Sequence, residues 1–294
     1  MLQRATLRSK GLRPDVLVMT ATPIPRTLAL TTYGDLDVSV MREMPPGRHP
    51  IRTIAKPESR RDEIYDFIRK QIDGGRQVYV IYPLVEESEK VDLKAATEMA
   101  DHLAQDIFPS YRVALLHGRM KADAKERVMA AFARGEFDVL VSTTVVEVGV
   151  DVANASVMLV EHAERFGLSQ LHQLRGRVGR GPHQSYCILL YQHPLTEQGR
   201  ARLKALTDTS DGFEIAERDL ELRGPGDFLG TRQHGLPDFR VASLIRDTRT
   251  LAEAREAAER WLTLDPHLQS PESAPLRQVL EHRWKGRLGL AEIG

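Results

Sequence analysis

Two arginines near residue 180 have the residue type and spacing to bind a phosphate group. Arg177 and Arg180 lie three residues apart in the stretch Gln-Leu-Arg-Gly-Arg-Val-Gly-Arg-Gly, which begins at Gln173. Residues three apart on a helical turn point the same way, and glycines permit a close approach of the backbone. An arginine that neutralises charge during phosphoryl transfer contributes about 10³ to 10⁵ in rate in enzymes that use one. We therefore predict that the pair faces the γ-phosphate of a nucleotide, although an isolated pair with this spacing would more often be a solvated basic turn.

Three further polar segments follow apolar runs. Leu-His-Gly-Arg at 116–119 stands where a strand gives way to a helix, and the free amides there favour an anion. Ser-Thr-Thr at 142–144 and Thr-Ala-Thr-Pro at 20–23 also close apolar runs. On their own such hydroxyl residues would most often be ordinary strand ends, so their assignment depends on the elements around them.

Short apolar runs alternate with helical patterns along most of the chain. Strands are expected at 16–20, 78–82, 113–116, 139–142, 157–160 and 186–191, and the lack of alternation within them indicates burial on both faces. Helices are expected from Ser59, acting as N-cap, to Gly74, then over 92–108 and 122–133. This order requires right-handed crossovers and predicts a parallel α/β sheet.

Composition limits the classes of protein that are possible. Of the 294 residues, 41 are Lys or Arg and 41 are Asp or Glu, and 41% are hydrophobic, which excludes a disordered or histone-like chain. The single cysteine, Cys187, cannot form an internal disulfide and favours a reducing compartment. No apolar segment reaches the roughly 18 residues of a membrane span, so we expect a cytoplasmic protein without a membrane partner.

The pattern changes twice along the chain. Residues 1–47 offer one strand and one helix, too little for a sheet of their own, and the strand pattern stops after 193. Beyond it come helical patterns at about 196–207, 213–222 and 243–262, with a Gly- and Pro-rich loop at 224–235. We therefore expect three regions: 1–47, 48–195 and a mostly helical region at 196–294.

The polar segments together resemble the motifs of superfamily 2 helicases, in the order those motifs have. The stretch from Gln173 resembles motif VI, 142–151 resembles motif V, 116–120 resembles motif IVa, and 20–27 resembles motif III. The resemblance implies a RecA-like C-terminal motor lobe. It assigns the residues of this chain as follows: Gln173, Arg177 and Arg180 to catalysis; Gly149 and Asp151, with the two arginines, to the nucleotide; Gly118, Arg119, Ser142, Thr143 and Thr144 to DNA; and Thr20 and Thr22 to coupling between the two.

A segment at 211–235 restricts the resemblance to one group of these helicases. Asp-Gly-Phe at 211–213, Asp-Leu-Glu-Leu-Arg-Gly-Pro-Gly-Asp at 219–227 and Gly-Thr-Arg-Gln-His-Gly at 230–235 look like the TRG motif, named for translocation, of the RecG and Mfd helicases. In that family a helical hairpin and a loop convey motor movement to duplex DNA. The resemblance maps the functional positions to Arg202, Arg232 and Gln233. Residues 19–48 and Gly-Pro-Gly-Asp at 224–227 favour the RecG branch.

Both parts of an ATP-hydrolysing centre are missing from these 294 residues. ATP hydrolysis requires a phosphate-binding loop with its lysine and a strand-borne acid for Mg²⁺, yet the sequence has no Gly-Lys dipeptide. Its only Asp-Glu dipeptide, Asp62-Glu63, lies in the first turn of a predicted helix. The family carries these motifs on an N-terminal lobe that follows a wedge domain. We therefore expect a C-terminal portion that holds no metal ligands and does not hydrolyse ATP alone, with Mg²⁺ held by the first lobe.

The resemblance implies a double-strand DNA translocase. It would use ATP, act as a monomer on forks and Holliday junctions, and serve recombination and repair. A basic stripe of Arg165, Arg175, Arg177 and Arg180, without an acid among residues 165–180, fits DNA binding despite the zero net charge. Two alternatives stay open: a regulatory module that binds DNA or a partner without catalysis, and an Mfd-type translocase that acts on stalled RNA polymerase.

Overall fold

The structure is a computed structural model that describes residues 48–83, 89–143, 151–223 and 247–284, with residues 17, 19, 39 and 41. For residues 89–95, 223, 248, 283 and 284 it describes the backbone alone. The chain divides into two compact units, residues 42–222 and a unit of residues 1–41 and 223–294. The boundaries expected after residues 47 and 195 stay predictions.

A six-stranded parallel sheet forms the centre of the first unit. Its strands are β1 (Arg52–Pro57), β2 (Gln77–Ile81), β3 (Val113–Leu116), β4 (Val139–Ser142), β5 (Ala155–Val160) and β6 (Tyr186–Tyr191). They lie in the order β1-β6-β5-β2-β4-β3. Every pairing is parallel, so all six strands end at the same edge of the sheet.

Six helices connect or follow these strands. They are α1 (Arg61–Asp73), α2 (Glu89–His102), α3 (Ala122–Ala133), α4 (Leu168–Arg175), α5 (Glu197–Asp208) and α6 (Gly212–Arg223). A π-helical turn, Leu103–Ile107, extends α2. The second unit contains α7 (Thr248–Leu264) and α8 (Ala274–Trp284).

The sheet is buried on both faces because alternate side chains of its strands enter two separate cores. From β2, Val78 and Val80 pack on one face with α1 and the end of α2, whereas Tyr79 and Ile81 pack on the other. That second face is covered by the apolar stripes of α3, α4 and α5, including Phe132, Leu171 and Leu206. Apolar side chains on both faces explain why the central strands are continuous apolar runs.

The structure confirms the α/β fold class, with helices on both faces of a parallel sheet. Five of the predicted strands fall where expected, and the sixth, at 16–20, lies mainly outside the described residues. Strand β1 was not predicted; it is an edge strand in which partly buried and exposed residues alternate. The expectation that Ser59 caps the first helix is wrong. A 3₁₀ turn at Glu58–Arg60 precedes α1, and no side-chain hydrogen bond caps that helix.

In the second unit, a hydrogen-bonded loop joins α7 to α8. The carboxylate of Asp265 accepts hydrogen bonds from the amides of Gln269 and Ser270 and from the Ser273 hydroxyl. The helix expected over 243–262 begins at Thr248, because Asp247 is not helical, and residues 243–246 lie outside the described part.

Among the described residues, none of the helices has the length and apolarity that crossing a membrane would require.

Candidate nucleotide and nucleic-acid sites

The two predicted phosphate-binding arginines lie in a tight turn that follows α4. The helix buries Leu168, Leu171 and Leu174 and ends at Arg175. The Arg177 amide donates to the Leu174 carbonyl (3.0 Å), and the chain then reverses at a left-handed glycine, Gly179 (φ +79°). The expectation of a helical turn around both arginines is therefore wrong, because a left-handed residue ends helical geometry.

The turn brings Arg180 and Asp151 together. Arg180 forms an ion pair with Asp151, and its Nε donates to the Gly176 carbonyl (3.2 Å). The side chains of Arg180 and Asp151 keep 24% and 62% of their surface exposed. Burial raises the pKa of the Tyr79 hydroxyl to about 12, and the charges of Arg177 and Arg180 oppose that rise. The Asp151 carboxylate is thus held beside Arg180 and stays largely open to solvent.

Two glycines of this turn are required by close contacts. A Cβ atom at Gly181 would stand 2.2 Å from the Ala153 carbonyl oxygen, and one at Gly179 would stand 2.8 Å from the Ile51 side chain. Gly176 is different, since a Cβ there would meet the carbonyl oxygens of Gln173 at 3.4 Å and His172 at 3.6 Å, both ordinary contacts. The turn thus packs directly on the segment that carries Asp151, and this contact keeps Arg180 near that carboxylate.

The predicted DNA contacts lie at the opposite edge of the sheet. Leu116, the last residue of β3, pairs with Ser142, the last residue of β4, so 117–119 and Thr143 leave neighbouring strands. Gly118 and Arg119 are exposed, and the Lys125 ammonium donates to the Gly118 carbonyl (2.7 Å). Burial lowers the pKa of His117, as do the neighbouring charges of Lys125 and Arg119.

The hydroxyl residues at this edge point inward. Ser142 and Thr143 are 1% and 3% exposed, and the Ser142 hydroxyl donates to the Thr143 carbonyl (2.8 Å). The Thr143 hydroxyl has no hydrogen-bond partner among the residues that the structure describes. The exposed candidates for phosphate contact at this edge are therefore Gly118 and Arg119.

The segment from 142 to 151 joins the two candidate sites. It starts at the carboxyl end of β4 and reaches Asp151, which precedes the start of β5. Strands of this length separate the edges of a sheet by roughly 15–20 Å. Ser142 and Thr143, which are predicted to contact DNA, thus lie at the carboxyl edge, and Asp151, which is predicted to contact the nucleotide, lies at the amino edge; residues 144–150 are outside the described part of the chain.

The remaining predicted site residues divide into two groups. Gln173 is exposed on α4, and Arg202 of α5 donates from Nη1 to the Phe166 carbonyl (2.7 Å). The others lie outside the described residues: Thr20, Thr22, Thr144, Gly149, Arg232 and Gln233.

One member of the expected basic stripe is not on the surface. The Arg175 side chain is buried, with the residue only 5% exposed, so it cannot contribute to an exposed stripe. Its guanidinium donates to backbone carbonyls of the last turn of α5 and of the residues that follow it. The sequence offered a signal, because Arg175 stands four residues after Leu171 and seven after Leu168, a spacing that places it on the buried face of α4.

Sequence reasoning also missed a buried ion pair at the carboxyl edge. Glu161 directly follows β5 and is fully buried, and its carboxylate accepts hydrogen bonds from Arg61 Nη2 (2.9 Å) and the Tyr65 hydroxyl (3.3 Å). Burial raises the pKa of Glu161 against the opposing effect of Arg61. An acid directly after an apolar strand was the available signal. The pair ties α1 to the end of the sheet.

The arrangement fits part of a nucleotide site. A guanidinium beside a partly exposed carboxylate can hold a phosphate group once the carboxylate is displaced. The described residues contain no group of three or more His, Cys, Asp or Glu side chains that could hold a metal ion.

Two family descriptions match the chain. Residues 59–182 match the helicase conserved C-terminal domain, and residues 209–294 match the C-terminal part of domain 3 of the ATP-dependent DNA helicase RecG. The first match includes strands β2 to β5 and the turn at residues 176–181, called the arginine turn below, and the second includes α6, α7 and α8.

Relatives and a solved structure agree with these matches. The chain is 54% identical to the ATP-dependent DNA helicase RecG of Synechocystis sp. over 98% of its own length and 34% of the relative, and 50% identical to that of Bacillus subtilis over 95% and 41%. It thus spans about a third to two-fifths of the length of these relatives. A structure of RecG bound to a three-way DNA junction is 49% identical, with a TM-score of 0.66, over 82% of this chain and 31% of that one. The sequence identity and the shared fold together show that this chain belongs to the RecG family.

Proposed function

We propose that this chain forms the second motor lobe and the TRG region of an ATP-dependent double-strand DNA translocase. The observation that carries the proposal is the arginine turn, which contains Arg177 and holds Arg180 in an ion pair with Asp151 at one edge of the sheet. Exposed Gly118 and Arg119 lie at the other edge, near Lys125. A protein with these two edges can bind phosphate groups of a nucleotide and of DNA separately.

In this proposal Arg177 and Arg180 contact the γ-phosphate of ATP that is bound mainly by another lobe. Their charges would stabilise the negative charge that accumulates as the phosphoryl group leaves. Gln173, on the exposed side of α4, and the segment 142–151 would relay nucleotide state to the DNA edge. Mg²⁺ would be held by residues outside those described.

The substrate we propose is branched double-stranded DNA, that is, forks and Holliday junctions in recombination and repair. The name of the solved relative, RecG bound to a three-way DNA junction, supports a branched substrate. We further infer that the protein is a monomer. We also infer that it is located in the cytoplasm, because its single cysteine cannot form an internal disulfide and suits a reducing compartment.

The test is unwinding of a three-way junction by this chain together with an ATP-binding first lobe, supplied in the same polypeptide or in trans. We expect ATP-dependent unwinding of the junction without RNA polymerase, and less ATP turnover on linear duplex of equal length. DNA affinity that does not respond to nucleotide, with no turnover on any DNA, would instead support a non-catalytic binding module. Activity only with stalled polymerase would support an Mfd-type translocase.

A further inference from the structure

The guanidinium of Arg175 is buried and has backbone carbonyls as its partners. Its Nη1 donates to the carbonyls of Leu206 (3.1 Å) and Thr209 (2.9 Å), and its Nη2 donates to that of Ser210 (3.3 Å). No ion pair joins it to a carboxylate of the described residues. An arginine stays charged in a protein, so a full positive charge is held here by three carbonyl dipoles.

These carbonyls lie where α5 ends and the chain turns into α6. The last carbonyls of a helix lack partners within the helix and carry partial negative charge, and hydrogen bonds from a charged donor are roughly twice as strong as neutral ones. The joining residues are also fixed locally. The Asp211 amide donates to the Thr209 hydroxyl (3.1 Å), and the Phe213 amide donates to the Asp211 carboxylate (2.8 Å). Arg175 therefore binds the backbone at the junction of α5 and α6, the two helices of the α5–α6 hairpin.

The backbone of Arg175 belongs to the arginine turn itself. Its carbonyl accepts from the Val178 amide (3.3 Å), and the Arg177 amide donates to the carbonyl of the preceding residue, Leu174. Arg175 thus takes part in the turn through its backbone and in the hairpin through its side chain. A displacement of the turn would therefore move the guanidinium of Arg175, which binds the α5–α6 junction.

A second arginine makes the reverse connection at the other end of α4. Arg202 of α5 donates from Nη1 to the carbonyl of Phe166 (2.7 Å), just before α4 begins. Arg175 of α4 therefore hydrogen-bonds to the hairpin, and Arg202 of the hairpin hydrogen-bonds to the residue before α4. Together they join α4 to the hairpin at both ends of α4.

We propose that Arg175 is a positioning residue that makes the arginine turn and the α5–α6 hairpin move as one body, so that motion at the nucleotide reaches the hairpin. The proposal rests on the proposed function, in which Arg177 and Arg180 respond to a nucleotide. It adds that the transmitting contact is the set of bonds from Arg175 to the carbonyls of Leu206, Thr209 and Ser210.

The test is Arg175→Met, which keeps a long apolar stem and removes every donor, in the protein combined with an ATP-binding lobe. The measurements are DNA-stimulated ATP turnover and base pairs of a three-way junction unwound per ATP. We expect turnover to stay within about threefold of the unsubstituted protein while unwinding per ATP falls about tenfold or more. Arg175→Lys, which keeps the charge and part of the donor set, should recover part of the loss.

Arg218→Met is the matched control. Arg218 lies in the same hairpin and pairs with Glu214 and Asp208, but these contacts stay within the hairpin. We expect this variant to keep its unwinding per ATP. Equal loss of turnover and unwinding in Arg175→Met, or no loss of either, would refute the transmitting role. If Arg175→Met is unfolded at the assay temperature, Arg175→Lys replaces it, and a normal yield of unwinding per ATP in that variant would refute the role.

Hydrogen exchange separates this proposal from the proposed function. In the 294-residue chain, amides of residues 206–213 and 176–180 should exchange faster in Arg175→Met than in Arg218→Met, with β2 and β5 unchanged in both. Unchanged exchange in both segments would refute the positioning role of Arg175, whatever the activity. Absence of ATP turnover in the unsubstituted protein, with the exchange difference present, would refute the proposed function and still support the positioning role of Arg175.

Discussion

Asp151 and Arg180 form an ion pair with each other at the amino edge of the sheet. Both are residues that the sequence assigns to the nucleotide. The Asp151 side chain is 62% exposed, and exposed ion pairs contribute about 0–1 kcal/mol to stability because solvent screens them. A phosphate group can therefore take the place of this carboxylate at small cost, so the pair is compatible with a nucleotide site.

Asp151→Asn tests whether the pair is as weak as its exposure indicates. We expect the free energy of unfolding of the 294-residue chain to fall by less than about 1 kcal/mol, and the difference to shrink further in high salt. Denaturant unfolding at low and high salt measures both. Glu136→Gln, which breaks the exposed pair of Arg134 and Glu136, is the control and should give a similarly small change. A loss of about 3 kcal/mol or more for Asp151→Asn would mean that the pair is structural.

Gly181→Ala tests the close packing of the arginine turn. The added Cβ would meet the Ala153 carbonyl oxygen at 2.2 Å, so the backbone must shift. We expect a loss of about 1–3 kcal/mol in the free energy of unfolding. Gly176→Ala is the matched control from the same motif, since its Cβ would find an ordinary contact, and we expect little change. Equal stability of the two variants would contradict the described packing of the turn on 151–154.

Arg232→Ala and Gln233→Ala test the coupling role that the TRG resemblance gives to these residues. In the protein with an ATP-binding lobe, we expect DNA-stimulated ATP turnover to persist while branch migration is lost, because neither residue is assigned to the nucleotide. Paired assays of turnover and junction unwinding check this. Turnover that falls as far as unwinding would show that the two residues serve the nucleotide site.

Much of the fold was readable from the sequence because the central strands are buried on both faces. Val78 to Ile81 has no polar residue, since both cores need apolar side chains, and its strand was found with nearly correct bounds. The edge strand β1 was missed because its exposed residues, Arg52, Ile54 and Lys56 among them, alternate with partly buried ones and leave no apolar run.

The candidate site was predictable in its residues but not in its geometry. The spacing of Arg177 and Arg180 suggested a helix, yet only the contact of Gly181 with Ala153 shows why the chain must turn there. The burial of Arg175 could not be predicted from an acidic partner in the sequence, because its hydrogen-bond acceptors are backbone carbonyls, which any sequence provides. Tertiary contacts between residues distant in sequence decide both features.

The central claim is that Arg177 and Arg180 complete a nucleotide site whose remainder lies on another lobe. The most direct measurement is DNA-stimulated ATP hydrolysis by the purified 294-residue chain, alone and with an ATP-binding first lobe in trans, for the unsubstituted chain and for Arg180→Ala. We predict no hydrolysis by the chain alone and hydrolysis with the lobe. We also predict that Arg180→Ala removes this hydrolysis, while nucleotide affinity stays within about tenfold. Hydrolysis by the chain alone, or hydrolysis with the lobe that Arg180→Ala leaves intact, would contradict the claim.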